Sequence, residues 1–106
     1  MTRRAEVLRW DEARDGKLGE RAMREKLEAL GYSVTRWTYS PGTFFDTHTH
    51  DVDKIDGVLA GRFEITIYGE VVVLGPGDAV RVPRGEAHSA RVIGSEPVVS
   101  LDAVRR

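Results

Sequence analysis

The chain carries three histidines, His48, His50 and His88, in 106 residues. Two of them stand one residue apart in Pro41-Gly42-Thr43-Phe44-Phe45-Asp46-Thr47-His48-Thr49-His50. In an extended strand, residues i and i+2 point to the same face, so His48 and His50 can aim two imidazoles at one point. His88 follows the turn-forming run Pro83-Arg84-Gly85-Glu86-Ala87, and a strand starting near Ala87 can return beside the first. Imidazole is the commonest protein ligand for first-row divalent metals. Three imidazoles with open coordination positions suit one divalent ion: zinc, iron, nickel, manganese or copper. Such an ion would act as a Lewis acid on a small organic molecule or bind oxygen and substrate together. Spacing alone also admits ordinary packing histidines.

Other residues near this pattern bear on the same chemistry. Asp46 shares period and face with His48 and His50 if that strand is unbroken, which makes it a candidate ligand or an acceptor for an imidazole N–H. Asp56, on the same face as Lys54 in an extended strand, is a second such candidate. For both, a surface or turn role is the simpler reading. Trp37, Tyr39, Phe44, Phe45 and Tyr68 could wall a small-molecule pocket, though in a chain this short they also suit a core. Arg84 and Arg91 flank His88 and could bind a carboxylate, or simply be solvated.

These residues need a scaffold, and composition limits what it can be. One domain of this length buries roughly 65% of the surface its unfolded chain exposes. Cysteine is absent, so there is no disulfide framework, thiolate site or cysteine nucleophile, and any metal must be held by nitrogen and oxygen. The net charge of -1, from 16 basic and 17 acidic residues, gives no general attraction to nucleic acid or anionic lipid. No apolar run reaches the ~18 residues of a membrane span, and Met1-Thr2-Arg3-Arg4 does not open a signal peptide. A cytoplasmic protein without nucleic-acid or membrane partners is expected.

From Asp15 to Leu30, Leu18, Ala22, Met23, Leu27 and Leu30 recur at helical spacing, and Gly31 supplies a C-terminal cap. Beyond Gly31 the chain reads as short strands: residues 32–39, 44–50, 57–59, 62–68, 71–74, 79–82, 87–93 and 98–103. They are separated by Ser40-Pro41-Gly42, Gly61, Gly69-Glu70, Gly75-Pro76-Gly77-Asp78, Pro83-Arg84-Gly85 and Gly94-Ser95-Glu96-Pro97. Phe63, Ile65 and Ile67 alternate with Arg62, Glu64 and Thr66, so one face is core and the other wet. Short strands with no helix between them predict an antiparallel sandwich or small barrel. Residues 1–31 would form a helical extension and residues 32–106 the barrel, with the helix outside the sheet or over one mouth.

The punctuation and histidines together resemble the cupin family. Its first motif is a glycine, five residues, His-x-His, three or four residues, a glutamate, six residues and a glycine. Here Gly42, His48, His50 and Gly61 match and Lys54 takes the place of the glutamate. Its second is a glycine, five residues, Pro-x-Gly, two residues, a histidine, three residues and usually an asparagine. Gly77, Pro83, Gly85 and His88 match, with Val92 at the last position. The resemblance covers about half of the chain. It implies an all-β, double-stranded β-helix of the jelly-roll type with a short N-terminal α-helix, and a metal held by His48, His50 and His88 near the centre of the bowl. The family spans dioxygenases, isomerases, epimerases, decarboxylases, storage proteins and sensor domains, so activity is not read from it.

Lys54 is the informative departure. About 5 Å from a divalent cation its ammonium would meet a gross repulsion of roughly 7 kcal/mol at an effective dielectric of 20, so it cannot simply replace an acid ligand. It can turn outward to pair with Asp51, Asp53 or Asp56, reach over the pocket towards an anionic substrate, or mark a site that no longer binds metal. Lys54 and Asp56 are therefore the candidate substrate-orienting, catalytic residues. The leading expectation is a metal-dependent enzyme, dioxygenase- or isomerase-like, acting on a small organic molecule; the alternative is a non-catalytic module that senses a metal or small ligand, or an empty barrel. Open sheet edges and the apolar segment Val7-Leu8-Arg9-Trp10 suggest a homodimer.

Overall fold

The computed structural model describes residues 3–106. Its elements in chain order are β1 (Val7–Leu8), α1 (Glu12–Asp15), α2 (Glu20–Ala29), β2 (Ser33–Tyr39), β3 (Phe44–His48), β4 (Asp53–Ala60), β5 (Arg62–Ile67), β6 (Glu70–Leu74), β7 (Ala79–Val82), β8 (His88–Ile93) and β9 (Val98–Arg105). Two antiparallel sheets face each other, one in the order β1-β7-β4-β9-β2 and the other in the order β3-β8-β5-β6. This is the all-β double-stranded β-helix expected from the sequence. Among the described residues, no helix is long and apolar enough to cross a membrane.

Alternation gives the central strand β4 two covered faces. On β4, Val58 belongs to the cluster between the sheets, with Phe63, Ile65, Ile67, Leu74, Val80, Val82, Val92 and Val98. Its neighbours in sequence face the other way: Ile55 packs with Met23, Leu27, Tyr32, Leu101 and Ala103 under α2. The helix comes so close that a Cβ at Gly57 would stand 2.8 Å from Met23 Sδ. Gly61, which closes the first histidine motif, is equally constrained, because at φ 80 its Cβ would meet the Pro97 carbonyl oxygen at 2.3 Å. No L side chain fits there without moving backbone.

The helix expected over residues 15–30 is interrupted. Asp11 caps α1 by accepting from the Ala13 N–H at 3.0 Å, Gly16 leaves the helix at φ 80, and α2 begins only after Gly19. The Asp15 carboxylate ties α1 to α2 across the break: it accepts from Asp11 N–H and takes both Arg14 and Lys26 as ion partners at 3.0 and 2.9 Å. Arg14 first, and these other donors with it, hold its pKa far below the usual range. Leu18 nevertheless reaches the outer cluster from the connecting loop. Gly31 ends α2 at φ 93, its N–H donating to the Glu28 carbonyl at 2.9 Å, as the sequence indicates.

Val7-Leu8-Arg9-Trp10 is engaged within the chain. Val7 and Leu8 pair with Val80 and Ala79, and Trp10 lies beneath the Lys26 ammonium while its Nε1 donates to the Gly16 carbonyl at 2.8 Å.

Candidate metal centre

The first two histidines do not share an unbroken strand. Phe45 pairs with Ala90 and His48 with His88, so β3 spends three steps where β8 spends two, and this bulge ends β3 at His48. A bulge reverses the facing of residues before it. Asp46 therefore loses the face it would share with His48: its side chain turns to the Thr47 N–H at 2.8 Å and is exposed. What Asp46 gives the site is its backbone carbonyl, which accepts from His48 Nδ1 at 2.5 Å.

His88 joins by two devices. It sits directly across β3 and β8 from His48, so both rings leave the sheet on one face. The Pro83-Arg84-Gly85 turn before it is stapled to the His50 loop, Gly85 N–H donating to the His50 carbonyl and Arg84 N–H to Asp53 Oδ1, each at 2.9 Å. The ring centroids stand 4.3 Å apart for His48 and His88, 4.8 Å for His48 and His50, and 5.1 Å for His50 and His88.

Their hydrogen bonds decide which nitrogens are free. A carbonyl only accepts, so His48 Nδ1 must carry hydrogen towards Asp46, and His88 Nδ1 must carry it towards the Glu86 carbonyl at 3.0 Å. The neutral rings then hold a lone pair on Nε2. His50 Nε2 is buried with no hydrogen-bond partner among the described residues. Burial first, then Lys54 and the other histidines, lowers the His50 pKa; burial, partly opposed by the Glu86 carbonyl, lowers that of His88. The downward shift favours the neutral form that a ligand needs. One ligand nitrogen from each of the three rings lies within 4.8 Å of the others. An orphaned buried nitrogen beside two lone pairs of the same chemistry fits a divalent ion, because such a polar atom is otherwise costly to bury.

The rings open into a cavity of about 310 Å³ lined by the aromatics Trp37, Tyr39, Phe45 and Phe63 and by the charged Lys54, Asp56 and Asp102. Tyr39 packs on Phe45 and Phe63 with centroids 4.9 and 5.7 Å away, so these aromatics serve as pocket and core at once. Phe44 points out, 61% exposed. Tyr68 packs on the barrel core, Arg91 pairs with Glu64 at 2.9 Å, and Arg84 and Arg91 lie outside the cavity lining.

A model of the cupin domain matches residues 35–104, two thirds of the chain, spanning all three histidines. The protein belongs to the cupin family. No curated protein matches it significantly by sequence. Among solved structures, this cupin resembles KdgF from Halomonas sp. (28% identity, TM-score 0.62, 71% of this chain and 69% of that one). It also resembles the DMSP lyase DddQ from Ruegeria pomeroyi (29%, TM-score 0.64, 71% and 38%). A third likeness is to the cupin domain of an XRE family transcriptional regulator from Enterobacter cloacae (26%, TM-score 0.62, 74% and 85%). The chain spans less than two thirds of several solved relatives, the lyase among them.

Lys54 of this cupin points into the barrel. Its side chain is 11% exposed and its ammonium lies 2.8 Å from Asp102 Oδ1 and 3.7 Å from Asp56 Oδ1; Asp51 and Asp53 take no part in that pairing. Burial alone would lower its pKa, but Asp56 and then Asp102 outweigh that and hold the lysine charged. Asp102 is the residue that sequence reasoning missed. Its signal was a lone acid inside the apolar run Val98-Val99-Ser100-Leu101-Asp102-Ala103-Val104, but only the pairing of β9 with β4 sets it directly opposite Asp56.

Proposed function

We propose that the protein binds one divalent metal through His48, His50 and His88 and uses it on a small organic molecule held in the aromatic-walled cavity, as an isomerase or a dioxygenase does. The observation that carries this reading is the buried, unpartnered His50 Nε2 beside two histidines whose Nδ1 hydrogen bonds direct Nε2 to the same space. A bound ion would supply Lewis-acid polarisation or a place for oxygen next to substrate. Likeness to a lyase supports an enzyme on this barrel. Lys54 and Asp56 line the cavity and orient the substrate. Because Lys54 is already paired with two carboxylates, a neutral polar substrate suits the site better than an anion. The unit that carries the chemistry is residues 32–106, braced by the extension 1–31, in a cytoplasmic homodimer joined through an open sheet edge; a monomeric mass by light scattering at micromolar concentration contradicts the dimer.

A second reading, a ligand- or metal-sensing module without turnover, is favoured by the likeness to the cupin domain of a transcriptional regulator. Metal analysis of untagged protein tests both: about one equivalent is expected, falling below about 0.2 in His88→Ala, and trace metal in both proteins overturns them together. Screening oxygen uptake and product formation over diketones, catechols, thiols and keto-sugars separates them. Turnover supports the enzyme; tight stoichiometric binding of one compound without turnover supports the module.

A further inference from the structure

The polar wall opposite the histidines is more than a charge pair. Asp56 on β4 and Asp102 on β9 are directly opposed in the antiparallel ladder and both face the cavity, with side chains 14% and 22% exposed. Like charges placed directly across a ladder repel, and one lysine neutralises one carboxylate, not two. The neutral form of the trio therefore has one carboxyl protonated. Asp102 Oδ1 is buried against the Lys54 ammonium at 2.8 Å, while the Asp102 side chain, 22% exposed, also lines the cavity. The groups facing the pair are Lys54 on the same strand, the Tyr39 hydroxyl from β2, and the imidazoles of His48, His50 and His88 across the cavity. On the other side β7 presents only Val80 and Val82 against Asp56 and Lys54.

We propose, building on the metal-dependent reading above, that the facing carboxyls of Asp56 and Asp102 hold one proton between them and exchange it with the bound substrate, so that the reaction is a proton transfer on a neutral α-hydroxycarbonyl compound and not an oxygenation. The ionised Asp102 carboxylate takes a proton from the carbon beside the carbonyl. That C–H bond breaks, its electron pair forms a C=C bond, and the carbonyl π pair moves to oxygen, which receives the proton held by Asp56. Reversal from the neighbouring hydroxyl returns a proton to Asp56 and the Asp102 proton to the adjacent carbon. Atoms and electrons balance as an isomerisation, with no oxidant required. The geometry is matched by the chemistry of Asp56: burial, then Asp102, pushes its carboxyl up against the pull of Lys54, to about 6, where a group both gives and takes protons near neutrality.

Carboxyl carbon-13 NMR of aspartate-labelled protein, metal-free and zinc-loaded, reads the pair directly. One of the two carboxyls is expected to titrate above the ordinary carboxylate range, and Asp102→Asn to move the Asp56 step down, because its like-charged neighbour is gone. Both carboxyls fully ionised from about pH 4 upward overturn the proposal. The exchange step is read by deuterium entering carbon from D2O in dihydroxyacetone, hydroxyacetone and glyceraldehyde. Incorporation by the zinc-loaded protein is expected, lower by about 100-fold or more in Asp102→Asn at unchanged metal content. If that variant unfolds, Asp56→Asn tests the pair from the other strand. Absence of deuterium in every compound, or incorporation indifferent to both variants, overturns the proposal. A protein that takes up no metal overturns the metal reading instead, and the metal-free titration still decides the pair.

Discussion

Two ends of the same barrel interior are built from the same strands and do opposite work. Read along its inward face, β4 runs from Val58 to Asp56 and Lys54, β9 from Val98 through Ser100 to Asp102, and β8 from Val92 through Ala90 to His88. At the valine end the interior is closed: Val58, Ile65, Leu74, Val80 and Val98 are fully buried. At the other end the same ladder holds an orphaned imidazole nitrogen, a lysine between two carboxylates and a cavity. The apolar end supplies cohesion that the polar end does not, since each buried ionic group there is at best near neutral for stability. The cohesive end makes the reactive one affordable.

Substitutions that separate the two ends test that division, the largest effect first. Ile65→Ala empties the fully buried apolar end and is expected to cost roughly 2–5 kcal/mol by urea unfolding, while the folded fraction keeps its metal stoichiometry. Lys54→Met leaves two buried carboxylates facing each other and is expected to cost about 3 kcal/mol at pH 8. That deficit shrinks as pH falls and the carboxyls protonate; a pH-independent loss would mean that Lys54 matters by packing alone.

Asp56→Asn acts with the opposite sign. The folded carboxyl has its pKa raised from 3.8 to about 6, so the native state binds its proton more tightly than the unfolded chain does. Its favourable contribution is present below the unfolded value and is lost as pH rises through the folded one. The amide variant is therefore expected to be more stable than wild type by roughly 1–3 kcal/mol above pH 6, with the gap opening between about pH 4 and 6 in parallel melts. The smallest effect belongs to the outer wall: Glu64→Gln breaks only the exposed pair with Arg91 and is expected to change stability by less than about 1 kcal/mol.

The two ends also differed in how much of them could be read from the sequence. The apolar end was legible because Phe63, Ile65 and Ile67 alternate against Arg62, Glu64 and Thr66, and sheet period is a local property. The three histidines were legible because the glycines and Pro83 that set the turns fix the histidines relative to them. The charged wall was not. The strand reading starts only at Gly57 because Asp53, Lys54 and Asp56 are charged, yet residues 53–56 open the long strand β4, since their partners come from β9, about fifty residues away. Asp46 shares the histidine face only in an unbroken strand, and the irregularity of β3 that takes it off that face has no signature in residue types; its simpler surface role is the one the structure shows. The break before Gly19 escaped notice because Leu18 keeps helical spacing while lying in a loop.

The central claim is that three imidazoles share one ion. X-ray absorption at the metal edge of untagged, zinc-loaded protein tests it directly: a first shell containing three histidine nitrogens at about 2.0–2.1 Å, losing one imidazole in His50→Ala, is the predicted result. A shell of oxygen ligands without imidazole scattering, or one unchanged by that substitution, would contradict the account.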